Sequence, residues 1–224
     1  MGDEKWNMYL LPEKIPEIFV DLYDSFAFKA LGGYYLETAR EIVSHCPKGR
    51  ILDVGCGPGY LPLQIAKLSK DIRVDGVDLS PKMVTLARKN ARKSCLENCL
   101  DFFVSDGNCL ATSEERYDMV ISTGVFHSLK NPVAFLNECH RVLKPGREAW
   151  VFDPAKLVSS NESVLQRNWK KGTKRLLYLG MALLIQILKP RPYSQKEVIE
   201  IVQRTHFSDY TISGENYVKI KLKK

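Results

Sequence analysis

An aspartate followed by three glycines at alternate positions, Asp53-Val54-Gly55-Cys56-Gly57-Pro58-Gly59, closes a short apolar run over residues 51–54. Glycines so spaced let the backbone come close to a ligand, and the helical pattern that follows offers free N–H groups at its start. The spacing is G-x-G-x-G with Tyr60 next, not G-x-G-x-x-G, which disfavours a dinucleotide pyrophosphate clamp. Asp78 ends a second apolar run 19 residues after Gly59. A carboxylate there can accept hydrogen bonds from both hydroxyls of an adenosine ribose; a surface aspartate before a helix cap is the plainer alternative. Asp106, in Val104-Ser105-Asp106-Gly107, ends a third run, where it would accept from an adenine amino group or simply close a turn.

These residues need elements that bring strand ends together. From Arg50 onward, short β-rich runs alternate with helical patterns, the signature of βα units and a parallel sheet covered on both faces. Strands are predicted over residues 51–54, 73–78, 101–105, 117–122 and 148–153. Helices are predicted over residues 60–69, from Pro81 behind an N-capping Ser80, and from Asn131-Pro132 with Val133, Phe135, Leu136, Val142 and Leu143 on one face, ending at Pro145-Gly146. Ser194 caps a further helix through Val198, Ile199 and Val202, and alternating runs at 210–212 and 217–222 predict an antiparallel hairpin completing the sheet. Ahead of Arg50, a helical pattern over residues 17–43, broken by Gly32-Gly33, is expected to lie across the working edge of the sheet.

The chain has 224 residues, 45% of them apolar and 26% charged, which suits one globular domain with a sizeable core. The N-terminus lacks the pattern of an export signal, and the longest apolar stretch, residues 176–188, is too short to span a bilayer. Six scattered cysteines show no C-x-x-C pair, so neither a metal site nor a disulfide framework is indicated, and a cytoplasmic protein with reduced thiols is expected. The net charge of +7 would suit RNA or an anionic surface but is ordinary for a small enzyme.

In order and spacing, Asp53-x-Gly-x-Gly-x-Gly, the Asp78 strand end, Asp106-Gly107, Tyr117-Asp118-Met119-Val120 and Leu143-Lys144-Pro145-Gly146 resemble the class I S-adenosylmethionine-dependent methyltransferase family. The resemblance covers roughly residues 50–153. With Val125-Phe126-His127-Ser128-Leu129 after the fourth strand, it is nearest the branch of ubiquinone and menaquinone biosynthesis and other small-molecule methyltransferases; Arg147 departs from the second glycine common there. It implies a Rossmann-like α/β fold, a seven-stranded sheet of order 3-2-1-4-5-7-6 with the last strand antiparallel. Residues 1–49 would form a helical cap, and residues 50–224 the cofactor-binding domain, with a helical insertion at about 155–192.

The same resemblance implies roles for individual residues. Gly55, Cys56, Gly57 and Gly59 would wrap the methionine and ribose part of S-adenosylmethionine, and Asp53 would orient the loop or the cofactor amine. Asp78 would hold the ribose, Leu79 and Met83 would sandwich the adenine, and Asp106 and Gly107 would meet its edge. The Ser122-Thr123 backbone would face the methionine end. Met83 fits a core position almost equally well.

The sulfonium already activates the methyl group, so the protein chiefly aligns the acceptor and excludes water, leaving S-adenosylhomocysteine as product. Where the acceptor must lose a proton, His127 is the candidate base; a loop histidine packed against the pocket is the alternative. Tyr23, Tyr34 and Tyr35 would cover the cofactor, face its sulfonium or bond the acceptor, with core packing accounting for at least one. The apolar stretch at 176–188, preceded by Arg167, Lys170, Lys171, Lys174 and Arg175, fits a lid over a small apolar acceptor, a homodimer face, or a peripheral membrane contact through 167–188. An RNA methyltransferase is disfavoured by Ser122-Thr123-Gly124-Val125, which stands where an Asn-Pro-Pro-Tyr-like site would be; a non-catalytic cofactor-binding activator subunit is a further alternative.

Overall fold

The computed structural model describes residues 14–153, 193–214 and 218–224. Seven strands form one sheet: β1 (Gly49–Val54), β2 (Ile72–Asp78), β3 (Leu100–Val104), β4 (Tyr117–Thr123), β5 (Leu143–Asp153), β6 (Asp209–Ser213) and β7 (Val218–Lys223). Their order is β3-β2-β1-β4-β5-β7-β6, and only β7 runs antiparallel to its neighbours β5 and β6. The expected topology is therefore present, with most boundaries displaced by a residue or two, as fraying ends allow.

Helices α1 (Val20–Ala30), α2 (Gly32–His45), α3 (Tyr60–Leu68), α4 (Pro81–Lys93), α5 (Pro132–Val142) and α6 (Gln195–Val202) surround the sheet. One core, with Ile42, Ile51, Ile65, Val84, Phe102 and Trp150, lies where α2, α3 and α4 pack. The opposite face buries Leu52, Val54, Phe135, Leu136, Val198 and Ile220 beneath α5 and α6. Starts are capped as the sequence indicated: the Ser80 hydroxyl accepts from Met83 N, Asn131 accepts from Ala134 N, and Ser194 and Glu197 form a capping box. Among the described residues no helix is long and apolar enough to cross a membrane.

Two local expectations need correction. The break in the N-terminal helical region falls at Leu31, and Gly32-Gly33 open α2 rather than interrupt it. The first turn of a helix lacks intrahelical N–H partners, so weak helix formers are tolerated there. Leu143 belongs to β5 rather than α5, and the strand continues through Pro145-Gly146. Tyr117 pairs with Leu143 but Met119 pairs with Glu148, so Lys144 to Arg147 form an irregularity in the ladder, with Gly146 at φ +71°. Lys144 and Arg147 in this irregularity meet Asp118 of β4 at 2.9 and 3.7 Å. The expected insertion, with its apolar stretch and basic cluster, lies outside the described residues.

Candidate functional site

The parallel strands β1, β2 and β4 deliver their carboxyl ends to one edge, where an open α/β sheet binds ligands. Beyond β1 the chain turns through Gly55, Gly57 and Gly59, all at positive φ. Gly55 shows the need for glycine: at φ +79° an added Cβ would stand 2.2 Å from Val125 Cγ2. The turn is fastened from three sides. Gly55 N and Cys56 N donate to Val77 O, Asn90 Nδ2 donates to Pro58 O, and Gly57 N donates to Asp78 Oδ2 at 2.8 Å. Cys56 is buried, its thiol pushed well up by desolvation, so it contributes shape and backbone rather than a nucleophile.

Asp53 sits beneath this turn, 2% exposed, and its Oδ1 has no hydrogen-bond partner among the described residues. Burial, followed by the charge of Asp78, pushes its carboxyl up to about 8. Asp78 is also raised by burial, against the lowering influence of the Ser80 and Gly57 amides it accepts. Two acids thus stand beside a glycine turn, one with an oxygen that no donor among the described residues reaches, and a buried acceptor of this kind is stabilised when a donor arrives.

The other expected residues fall around this centre. Leu79 is 37% exposed, whereas Met83 is 3% exposed under the Ser80 cap, so Leu79 alone of the pair offers a broad apolar surface. Asp106 is exposed, and its Oδ1 accepts from Asn108 N and Nδ2, which closes the turn before Cys109. A Cβ on Gly107 would press on Phe135 and Val54, so that glycine serves close packing. The Ser122 hydroxyl donates to Val54 O at 2.7 Å, tying β4 to β1, while Thr123 Oγ1 is buried without a partner among the described residues.

From the N-terminal side, the Tyr23 ring approaches Gly57, with Cε1 4.0 Å from a Cβ built there. The Tyr23 and Tyr35 hydroxyls are hydrogen-bonded to each other, and the Tyr34 and Tyr60 rings flank Tyr35 at 6.0 and 6.2 Å. Tyr35 is 9% exposed in the core beside α3, the packing role expected of at least one tyrosine. The segment is held down by polar ties: Ser80 Oγ donates to Glu17, Lys82 to Asp21, and Tyr60 to Asp24, at 2.8, 2.8 and 2.6 Å. At the end of β4 the chain makes a 3₁₀ turn, Phe126–Ser128, and the Nδ1 of His127 lies 2.9 Å from Oδ1 of Asp153 at the end of β5.

Comparison with known proteins agrees with this geometry. Residues 51–146 match the family described as methyltransferase domain. Over these residues the chain is similar to methyltransferase domains. Over 97 residues it is 37% identical to a ubiquinone biosynthesis O-methyltransferase of Cereibacter sphaeroides, covering 43% of this chain and 38% of that protein. Over 112 residues it is 36% identical to the protein of that name from Roseobacter denitrificans, covering 49% and 44%. The chain thus spans less than half the length of these curated relatives. A putative S-adenosylmethionine-dependent methyltransferase from Methanococcus maripaludis has the same fold, with a TM-score of 0.75 at 20% identity over 97% of both chains.

Sequence reasoning about this site missed Asp153, Glu17, Asp21 and Asp24. Asp153 obeys the strand-end rule that singled out Asp53 and Asp78, and applying that rule to the fifth strand would have found it. The three acids of the N-terminal segment carry no spacing signal, because their partners Ser80, Lys82 and Tyr60 lie in distant parts of the chain.

Proposed function

We propose that the protein transfers a methyl group from S-adenosylmethionine to a small, apolar acceptor by in-line displacement. The observation that carries this reading is the buried Oδ1 of Asp53, without a partner among the described residues, beside a glycine turn. A buried oxygen of this kind costs ~1–3 kcal/mol until a donor reaches it, and the ammonium group of the methionine moiety is such a donor. The residues therefore fit the cofactor, which supplies a methyl carbon already activated by the sulfonium.

In this reading Asp53 becomes a carboxylate when the ammonium arrives, and the backbone of Gly55, Cys56, Gly57 and Gly59 wraps the chain that joins methionine to ribose. Asp78 accepts the ribose hydroxyls, Leu79 presents its exposed side chain to one adenine face, and the Asp106–Gly107 turn bounds the adenine edge. Ser122 and Thr123 border the methionine end, with the Thr123 hydroxyl available to a polar group there. Tyr23 covers the glycine turn, and the segment over residues 17–45 acts as a cap that excludes water. The small-molecule acceptor is supported by the curated relatives, named as O-methyltransferases of ubiquinone biosynthesis.

The test has two parts. S-adenosylhomocysteine at about 100 times its Kd should stabilise the fold by roughly 2.7 kcal/mol, while NAD at the same concentration should not. Isotopically labelled methyl from S-adenosylmethionine should then enter the small-molecule or lipid fraction of a host extract. Label in RNA would overturn the acceptor class, and cofactor binding without any label would convert the protein into a binding subunit.

A further inference from the structure

We propose that Asp153 is the positioning residue of a His127–Asp153 pair whose free imidazole nitrogen takes the proton of a hydroxyl acceptor. The inference rests on the methyl-transfer reading above and narrows it to an accepting atom.

The pair is built by the sheet. Thr123 pairs with Phe152 and Gly124 N donates to Phe152 O at 2.8 Å, so the ends of β4 and β5 lie side by side. On its other side β5 is locked to β7, where Asp153 pairs with Val218. After β4 the chain reverses into the 3₁₀ turn, pinned by Phe126, 1% exposed, and by the Ser128 hydroxyl on Val125 O at 2.7 Å. That turn swings His127 back onto Asp153, a residue 26 positions later in sequence and 3% exposed.

A carboxylate only accepts hydrogen bonds, so the 2.9 Å contact places the imidazole proton on Nδ1. Nε2 is then the lone-pair nitrogen, the form a general base requires, and the histidine side chain stays 18% exposed to meet an acceptor. With the carboxylate absent, nothing in this contact would hold the proton on Nδ1, and a ring protonated on Nε2 cannot act as base there. A neutral amine attacks a methyl carbon through its own lone pair before losing any proton. A hydroxyl is a poor nucleophile until its proton is being removed; an acidic carbon also needs a base, and the names of the curated relatives as O-methyltransferases favour the hydroxyl.

The step balances as follows. The acceptor oxygen forms its bond to the methyl carbon as the O–H bond breaks and its proton passes to His127 Nε2. The carbon–sulfur bond breaks with its electron pair left on sulfur, giving a methyl ether and S-adenosylhomocysteine. The imidazolium then returns its proton to water.

The test compares wild type with Asp153→Asn, which preserves shape, and His127→Ala. Nitrogen-15 NMR of the histidines should show the neutral His127 ring protonated on Nδ1 in wild type and shifted towards Nε2 in Asp153→Asn. Methyl transfer into the small-molecule and lipid fractions of host extract should fall about 10²-fold or more in both variants. The Kd for S-adenosylhomocysteine should stay within about twofold, which a merely structural loss would not allow. Wild-type transfer by Asp153→Asn, or an Nε2 proton on His127 in wild type, would overturn the pair. Product carrying the label on nitrogen or carbon would overturn the hydroxyl assignment. If wild type transfers label to nothing, the methyl-transfer reading itself fails, while the NMR result still decides whether Asp153 holds the ring.

Discussion

Asp78 Oδ2 accepts the amide of Gly57 at 2.8 Å, so the acid proposed to hold a ribose also fastens the glycine turn after β1. Its other oxygen accepts Ser80 N at 2.9 Å, at the start of α4. One carboxylate thereby sets the separation between the glycine turn and the helix that carries Leu79 at its approach.

Removing that carboxylate should do damage twice. Asp78→Ala loses acceptors for the ribose and frees Gly57 N, and at ~1.5–3 kcal/mol for a hydrogen bond to a charged group the Kd for S-adenosylhomocysteine should rise at least about tenfold. Asp78→Asn retains one acceptor and should lose less. Isothermal titration calorimetry measures both; equal Kd values for Asp78→Ala and wild type would refute the assignment.

Asp53 predicts a pH effect with a definite sign. Its folded value of about 8 lies above the ordinary 3.8, so the native state keeps a proton that the unfolded state has released. Its stabilising contribution is complete below about 4 and is lost as pH rises through about 8. Asp53→Asn should therefore raise the Tm of the cofactor-free protein at pH 8.5, by about 2–4 °C for each kcal/mol recovered in a domain of this size. The same variant should bind S-adenosylhomocysteine more weakly. In wild type at pH 7, binding should release close to one proton, seen as a dependence of calorimetric enthalpy on buffer ionisation enthalpy. No such dependence would show that Asp53 does not meet the ammonium.

Leu79 separates binding from folding. It is 37% exposed, so Leu79→Ala should change stability by under ~1 kcal/mol, whereas loss of an adenine face should raise the Kd about 5- to 30-fold, or ~1–2 kcal/mol. Met83→Ala, at a position 3% exposed, should show the opposite balance, destabilising by ~2–5 kcal/mol in chemical denaturation.

Ser80 joins the N-terminal segment to the start of α4. Its hydroxyl accepts from Met83 N and donates to Glu17, so Ser80→Ala removes an N-cap, costing ~0.5–2 kcal/mol, and one tie of the N-terminal segment. Amide hydrogen exchange over residues 17–30 should quicken in this variant; unchanged protection there would place the hold on the segment in Lys82–Asp21 and Tyr60–Asp24 instead.

Much of this was legible in order along the chain. The G-x-G-x-G turn, the acids at the ends of β1 and β2, the Ser80-Pro81 helix start and the alternating hairpin runs are local signals, because backbone conformation and two- or four-residue periodicity are set by near neighbours. They specified the sheet order through family resemblance and placed the candidate residues at one edge.

The tertiary structure decided what depends on distant partners. It made Leu143 a strand residue opposite Tyr117, put Met83 under a cap and left Leu79 partly exposed, and buried Asp53 Oδ1 with no donor among the described residues. It set Asp153 against His127 and fastened residues 17–24 to the starts of α3 and α4. A side chain's burial, partner and protonation depend on groups brought together only when the strands pair, and no local pattern encodes which groups those will be.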